Sequence, residues 1–132
     1  MTSIRLVSYI HGLWGASLLV IGDSVPRPYA ALEPFLTYMP SQVVGYLFLV
    51  SAVIPILIDN YCDHGNRRNL FLFALSVLPQ QLILYWGVAW GGWVMFVEFD
   101  PRTWLSWTYT VVLAFAHSRG AVYLYSKARY GV

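Results

Sequence analysis

The sequence has little charge and a single cysteine. Charged residues make up 11% of its 132 residues, against about a quarter in an ordinary soluble domain. Such a chain has too little polar surface to cover a water-soluble globule of this size. The net charge of +2 is too small to indicate binding to nucleic acid. Because Cys62 is the one cysteine, no intramolecular disulfide can form.

Ionisable residues are missing altogether from one long stretch. Between Leu70 and Val97 there is no Asp, Glu, Lys, Arg or His, whereas roughly twenty apolar residues suffice to cross about 30 Å of hydrocarbon. Three further apolar stretches bring the hydrophobic content to 58%. We therefore predict an all-α integral membrane protein. It forms a four-helix bundle, a single membrane domain over residues 1–132, with spans at about 6–22, 42–58, 70–95 and 103–125.

Proline interrupts the connection between the first two spans. The prolines remove backbone N–H donors and prevent one long helix over residues 23–40; they are Pro26, Pro28, Pro34 and Pro40. Apolar side chains recur between them at three- and four-residue steps: Tyr29, Leu32, Phe35, Leu36 and Met39. The pattern fits two alternatives, a short segment in the headgroup region or an ordered loop that caps the bundle.

The third span is longer than the hydrocarbon and contains two amides. As one straight helix, residues 70–97 would measure about 42 Å at 1.5 Å per residue, so the helix must tilt, bend or end early. Pro79 provides a bend. The side chains of Gln80 and Gln81 can then bond the carbonyl that this proline leaves unpaired, or a neighbouring helix.

Tryptophans cluster at the end of this span and the start of the next. Trp86, Trp90 and Trp93 follow one another at i, i+4 and i+7, which places them on one face of a helix. Together with Trp104 and Trp107 they predict an aromatic belt at one membrane interface.

Basic residues predict the orientation. With four spans both termini lie on one side, together with the middle loop. The basic residues on or near that side are Arg5, Arg67, Arg68, Arg119, Lys127 and Arg129, and those on the other side are Arg27 and Arg102. The acidic residues of the second side are Asp23, Glu33, Glu98 and Asp100. This asymmetry predicts a multi-pass inner-membrane protein with cytoplasmic N- and C-termini.

Four ionisable residues fall within the cytoplasmic half of this topology, and they form a candidate intramembrane polar cluster: His11, Asp59, His117 and Arg119. Ionisable residues inside spans are functional candidates. One hypothesis pairs Arg119 with Asp59 and lets a histidine control water or proton entry. The alternative is that Arg119 extends to the interface while Asp59 ends a helix.

No enzyme signature is present in the sequence. It has no phosphate-binding glycine loop, no histidine pair at metal spacing and no nucleophile elbow. We predict no catalytic, cofactor-binding or metal-ligating residues, and a non-enzymatic protein whose partners are the lipid bilayer and either further copies of itself or a larger membrane protein.

In length, span number and aromatic content the chain resembles small multi-span membrane proteins of bacteriophages, including holin-like proteins. The likeness rests on Trp14-Gly15, the proline-broken loop, Gly45 and the basic tail Ser126–Arg129. It implies oligomers that permeabilise the inner membrane during phage lysis, without catalytic residues. Two other classes stay open: an accessory subunit or membrane interaction protein, such as a superinfection-exclusion factor, and a small channel or transporter.

Overall fold

A computed structural model describes residues 2–22, 24, 32–63, 65–98 and 104–131. This part of the chain is mostly helical and contains no strands. The helices are α1 (Thr2–Ile21), α2 (Glu33–Tyr38), α3 (Ser41–Tyr61), α4 (Arg67–Ser76), α5 (Leu78–Phe96) and α6 (Trp104–Tyr130). Predicted features at Asp23, Pro26, Arg27, Pro28, Tyr29, Asp100, Arg102 and position 103 lie outside the described residues.

Three helical segments are long and apolar enough to cross a membrane: Ser3–Ile21, Ser41–Tyr61 and Arg67–Phe96. The last of them runs through α4 and α5. The fourth predicted span lies in α6, which is the longest helix at 27 residues. The mean hydropathy of α6 is lower than that of the other three, because its first turns carry serine, threonine, tyrosine and tryptophan and its second half carries ionisable residues: His117, Arg119, Lys127 and Arg129.

The predicted bend in the third span is a junction between two helices. α4 ends at Ser76, Val77 lies between, and α5 begins at Leu78 with Pro79 in its first turn. Proline fits there because the first N–H groups of a helix have no intrahelical acceptor. The long apolar stretch therefore divides just before the two glutamines.

Small residues bring α1 and α3 close together in an antiparallel pair. A Cβ added to Gly15 would lie 2.8 Å from the carbonyl oxygen of Gly45, and one added to Gly45 would lie 2.9 Å from that of Gly15. A Cβ on Gly12 would lie 3.3 Å from the Cβ of Ala52. The small residues of α1 thus serve a contact within one chain, where backbone approaches backbone.

The short helix α2 packs onto the bundle. Leu32, immediately before it, is fully buried in the core with Val44 and Phe48. Phe35 meets the ring of Phe48 edge to face, with centroids 5.2 Å apart. These contacts are those of an ordered cap.

A second apolar cluster joins α1, α4 and α6 around Ile4, and its other members are Leu70, Phe73, Ala74, Val77, Leu124 and Ala128.

Candidate functional site

A buried hydrogen-bond network crosses the interior of the bundle, and its centre is the imidazole of His117 in α6. Nδ1 of this ring lies 2.6 Å from Oε1 of Gln81, and Nε2 lies 2.9 Å from Oε1 of Gln80. His117 and Gln80 are fully buried, and Gln81 is 8% exposed. Two consecutive residues in the first turn of α5 therefore bind both nitrogens of one ring.

The amide nitrogen of Gln80 bonds two other helices. It donates to the hydroxyl of Ser8 in α1 at 2.7 Å and to the backbone carbonyl of Ser51 in α3 at 3.1 Å. Ser51 precedes Pro55 by four residues, and proline has no N–H to complete that helical hydrogen bond. Gln80 therefore provides a donor for a carbonyl that α3 cannot satisfy itself.

Ser118 forms the other arm of the network. Nε2 of Gln81 donates to its Oγ at 2.5 Å, and the hydroxyl oxygens of Tyr85 and Ser118 are 2.8 Å apart. The Ser118 hydroxyl donates to the backbone carbonyl of Ala114 at 2.6 Å. This arm connects the buried ring with side chains near the outer surface of the bundle.

The network lies near the middle of three of the long helical segments. Ser51 has ten residues of α3 on either side, and His117 has thirteen residues of α6 on either side. Gln81 is near the midpoint of Arg67–Phe96. On α1 the network contacts Ser8, which has six residues of the helix before it. Polar side chains in membrane bundles make such bonds across helices.

No family model, curated protein or solved structure matches this chain.

The four residues proposed as one polar cluster are distributed over different sites. His11 is buried and meets the ring of Phe48 edge to face, with centroids 5.1 Å apart. Asp59 forms a salt bridge with Arg5 of α1. The Asp59 side chain is 5% exposed and that of Arg5 49%. The acidic residue hypothesised to pair with Arg119 therefore binds a different arginine.

Arg119 lies on the outer surface of α6. Its guanidinium carbon is 5.9 Å from the centroid of the Phe115 ring, one turn toward the helix N-terminus. Side chains of an α-helix point toward the N-terminus, so this direction is the ordinary one. The guanidinium is thus directed away from the nearer, C-terminal end of α6. The alternative in which Arg119 extends to the membrane interface would direct it toward that end.

The five tryptophans belong to the second part of α5 and the first turns of α6. Trp86, Trp93 and Trp104 are about half exposed, at 50%, 55% and 53%. Trp107 turns inward: its Nε1 donates to the carbonyl of Val88 at 3.0 Å. Trp90, like Trp107, is half-buried. The group combines exposed rings, as an aromatic belt has, with one ring that joins the two helices.

Among the residues that the structure describes, no group of three His, Cys, Asp or Glu side chains could hold a metal ion. The histidine nitrogens of the network face amide oxygens.

Two open grooves flank the network. One, of ≈ 280 Å³, lies between α4, α5 and α6, and its lining includes Gln81, Tyr85 and Ser118. The other, of ≈ 350 Å³, lies between α3 and the α4–α5 junction, and includes Ser51 and Pro79. Both grooves open to the side of the bundle, so the ends of the network come close to the surrounding medium.

Sequence reasoning identified His117, Gln80 and Gln81 but not their partners. The residues that complete the network are Ser8, Ser51, Tyr85 and Ser118. Likewise, the sequence identified Asp59 but not its partner Arg5. One signal pointed to Ser51: the rule that proline frees the carbonyl four residues earlier. Serine and tyrosine are common in membrane helices, and nothing in the sequence distinguishes these from their neighbours.

Proposed function

We propose that this protein is a four-span inner-membrane protein with both termini in the cytoplasm, and that α6 is its fourth span. At 27 residues, α6 has a length of about 40 Å at 1.5 Å per residue. Its outward side chains are largely apolar, including Leu105, Val112, Phe115 and Val122. The excess of basic residues on one side of the four-span arrangement supports the orientation.

The hydroxyl groups of α6 also suit a lipid environment. Thr108 donates to the carbonyl of Trp104, and Thr110 to that of Ser106, at 2.9 and 2.7 Å. Ser118 makes the same bond to Ala114. A hydroxyl bonded to its own helix does not require water. These hydroxyl groups therefore add little to the polarity that α6 presents to lipid.

The proposed role is non-enzymatic self-association, of the holin-like kind that permeabilises the inner membrane in phage lysis. The observation that carries it is the distribution of polarity: the polar side chains of the bundle bond one another inside, while the surface displays large apolar residues on every long helix. A single copy therefore presents a largely apolar surface to lipid and has its polar side chains inside. Permeabilisation is therefore assigned to assemblies of several copies.

Expression in bacteria tests this role. The chain is produced together with a cytoplasmic endolysin that has no export signal. We expect an abrupt stop of growth followed by lysis, and the Gly15→Leu variant, which separates α1 from α3, should not lyse cells. Continued growth with the wild-type protein present in the membrane fraction contradicts the holin-like role.

Arg119 favours a second candidate, an accessory subunit of a larger membrane complex. Its guanidinium lies on the outer face of α6, over an aromatic ring. Asp59, the acidic residue hypothesised to pair with Arg119, already binds Arg5. A cation facing lipid calls for an acidic partner, which fits a carboxylate on another membrane protein.

Co-purification distinguishes this candidate from the first. In its native host, the tagged wild-type chain should bring down one stoichiometric membrane protein, and the Arg119→Leu variant should not. Arg119→Lys retains the charge and serves as the control. If both variants retain the same partner, Arg119 does not make the contact.

A further inference from the structure

The donor and the acceptor of each hydrogen bond at His117 can be worked out from two backbone carbonyls, because a carbonyl oxygen only accepts. The first is that of Ser51, 3.1 Å from Nε2 of Gln80. A carbonyl at this distance requires the nitrogen of the amide, so the Gln80 oxygen must face His117. Because Oε1 of Gln80 only accepts, Nε2 of His117 carries a proton.

The second fixed acceptor is the carbonyl of Ala114. The Ser118 hydroxyl has one proton and donates it there, over 2.6 Å. Its oxygen therefore accepts from Gln81 and from the hydroxyl of Tyr85. With its nitrogen toward Ser118, Gln81 presents its oxygen to Nδ1 of His117, 2.6 Å away. In this arrangement Nδ1 also carries a proton.

We propose that His117 is an intramembrane proton-binding site, and that the Gln81 amide responds to its charge. In the cationic state both ring nitrogens donate, one to each glutamine. When Nδ1 loses its proton, the Gln81 amide turns over and donates to Nδ1, and the Ser118 hydroxyl then donates to the Gln81 oxygen. The Ser51 carbonyl keeps Gln80 fixed, so the neutral ring retains its proton on Nε2.

The other helices contribute few charges to the site. On α1 the buried titratable group is His11, which packs against the ring of Phe48. On α5 the titratable group is Tyr85, bonded through Ser118. On α3, Asp59 is engaged by Arg5. Arg119, next to Ser118 on α6, lies on the outer surface. The cation is thus stabilised by two amide dipoles rather than by a carboxylate.

This site does not depend on the holin-like role. Proton binding concerns the interior of one copy, and it can be measured in a single purified chain whether or not the protein lyses cells.

Nitrogen NMR on the full chain in lipid bilayers, with ¹⁵N-labelled histidine, tests the proposal. His117 is assigned by the signal that disappears in the His117→Asn variant. Between about pH 2 and about pH 9, a range that extends well below ordinary histidine titration because the ring is fully buried, we expect two protonated ring nitrogens at the acid end. At the alkaline end we expect Nε2 protonated and Nδ1 bare. A ring that keeps one protonation state across the range overturns the proposal, as does a neutral ring with its proton on Nδ1.

Two substitutions at one position test the role of Gln81 by the sign of their effects. Gln81→Glu places a negatively charged acceptor against Nδ1. Because this charge stabilises the cationic ring, the protonation midpoint of His117 should rise by about one pH unit or more. Gln81→Met removes the acceptor, so the midpoint should fall. Gln42→Glu, on the exposed start of α3, is the control and should leave it unchanged. Equal midpoints in all three variants would show that Gln81 does not respond to the charge of His117. If a variant does not fold, the wild-type titration still tests proton binding at His117.

Discussion

The amide of Gln80 donates a hydrogen bond to the carbonyl of Ser51, the acceptor that Pro55 leaves without its helical donor. In lipid no water is available to such a carbonyl, and an unsatisfied one costs several kcal/mol. The proline in one helix and the amide in another are thus two parts of one interaction.

A double-mutant cycle tests this relationship. Gln80→Leu should lower the free energy of unfolding by about 1–3 kcal/mol, because it leaves buried acceptors without a donor. Pro55→Ala restores an N–H that can bond Ser51, so in that background the loss should be smaller by about 1 kcal/mol. Equilibrium unfolding by SDS in mixed micelles measures the four proteins. Additive losses would show that Gln80 does not serve the carbonyl freed by Pro55.

The contact between α1 and α3 should be sensitive to a single methyl group. At Gly15 or Gly45 a new Cβ would approach a backbone oxygen to less than 3 Å, and the backbones must separate. Gly15→Ala and Gly45→Ala should each lower the free energy of unfolding by about 1–3 kcal/mol. Gly12→Ala meets the Cβ of Ala52 at 3.3 Å and should cost less. The same unfolding measurement ranks the three, and an equal or larger loss for Gly12→Ala contradicts the packing.

Gly91 should likewise be required for the packing of Trp107. A Cβ at Gly91 would lie 2.7 Å from Cδ1 of Trp107, whereas at Gly92 it would lie 3.4 Å from Nε1. Gly91→Ala should therefore shift the indole and break its bond to Val88, lowering the midpoint temperature of thermal unfolding more than Gly92→Ala does. In a Trp107→Phe background, which has a smaller ring, the difference between the two alanine variants should shrink. A difference that persists there assigns the effect to something other than the indole.

The salt bridge between Arg5 and Asp59 should respond asymmetrically to mutation. The carboxylate is 5% exposed and the arginine 49%. Arg5→Met removes the cation from a nearly buried charge, which is costly, whereas Asp59→Asn leaves an arginine that can reach solvent. Arg5→Met should therefore destabilise the protein more in SDS unfolding. The opposite order would show that Arg5 is not the main partner of Asp59.

Sequence patterns predicted the helices well where a local physical signal exists. Hydropathy located α1, α3 and the α4–α5 segment, because a membrane span is recognised from the composition of about twenty consecutive residues. Pro79 marked the interruption before Gln80, since proline belongs in the first turn of a helix. The predicted span boundaries differ from the helix ends by a few residues, because helices extend beyond the apolar stretch into the polar ends.

The partners of the polar residues depend on tertiary packing, which local patterns do not encode. Arg5 contributed to the predicted orientation as one cation among six, yet the structure pairs it with Asp59. The sequence marks His117 as an ionisable residue in a predicted span. Its attachment to two consecutive glutamines depends on the rotation of α5 against α6, which no periodicity in either helix specifies.

The side of the membrane on which the C-terminus lies tests the central claim of four spans most directly. The native Cys62, just after α3, reports the middle loop, and Tyr130→Cys in a Cys62→Ser background reports the end of α6. A membrane-impermeant maleimide is applied to spheroplasts and to inverted inner-membrane vesicles. Four spans predict that both cysteines are labelled in inverted vesicles and protected in spheroplasts. Labelling of the cysteine at 130 from the side opposite to Cys62 would show that α6 does not cross the membrane.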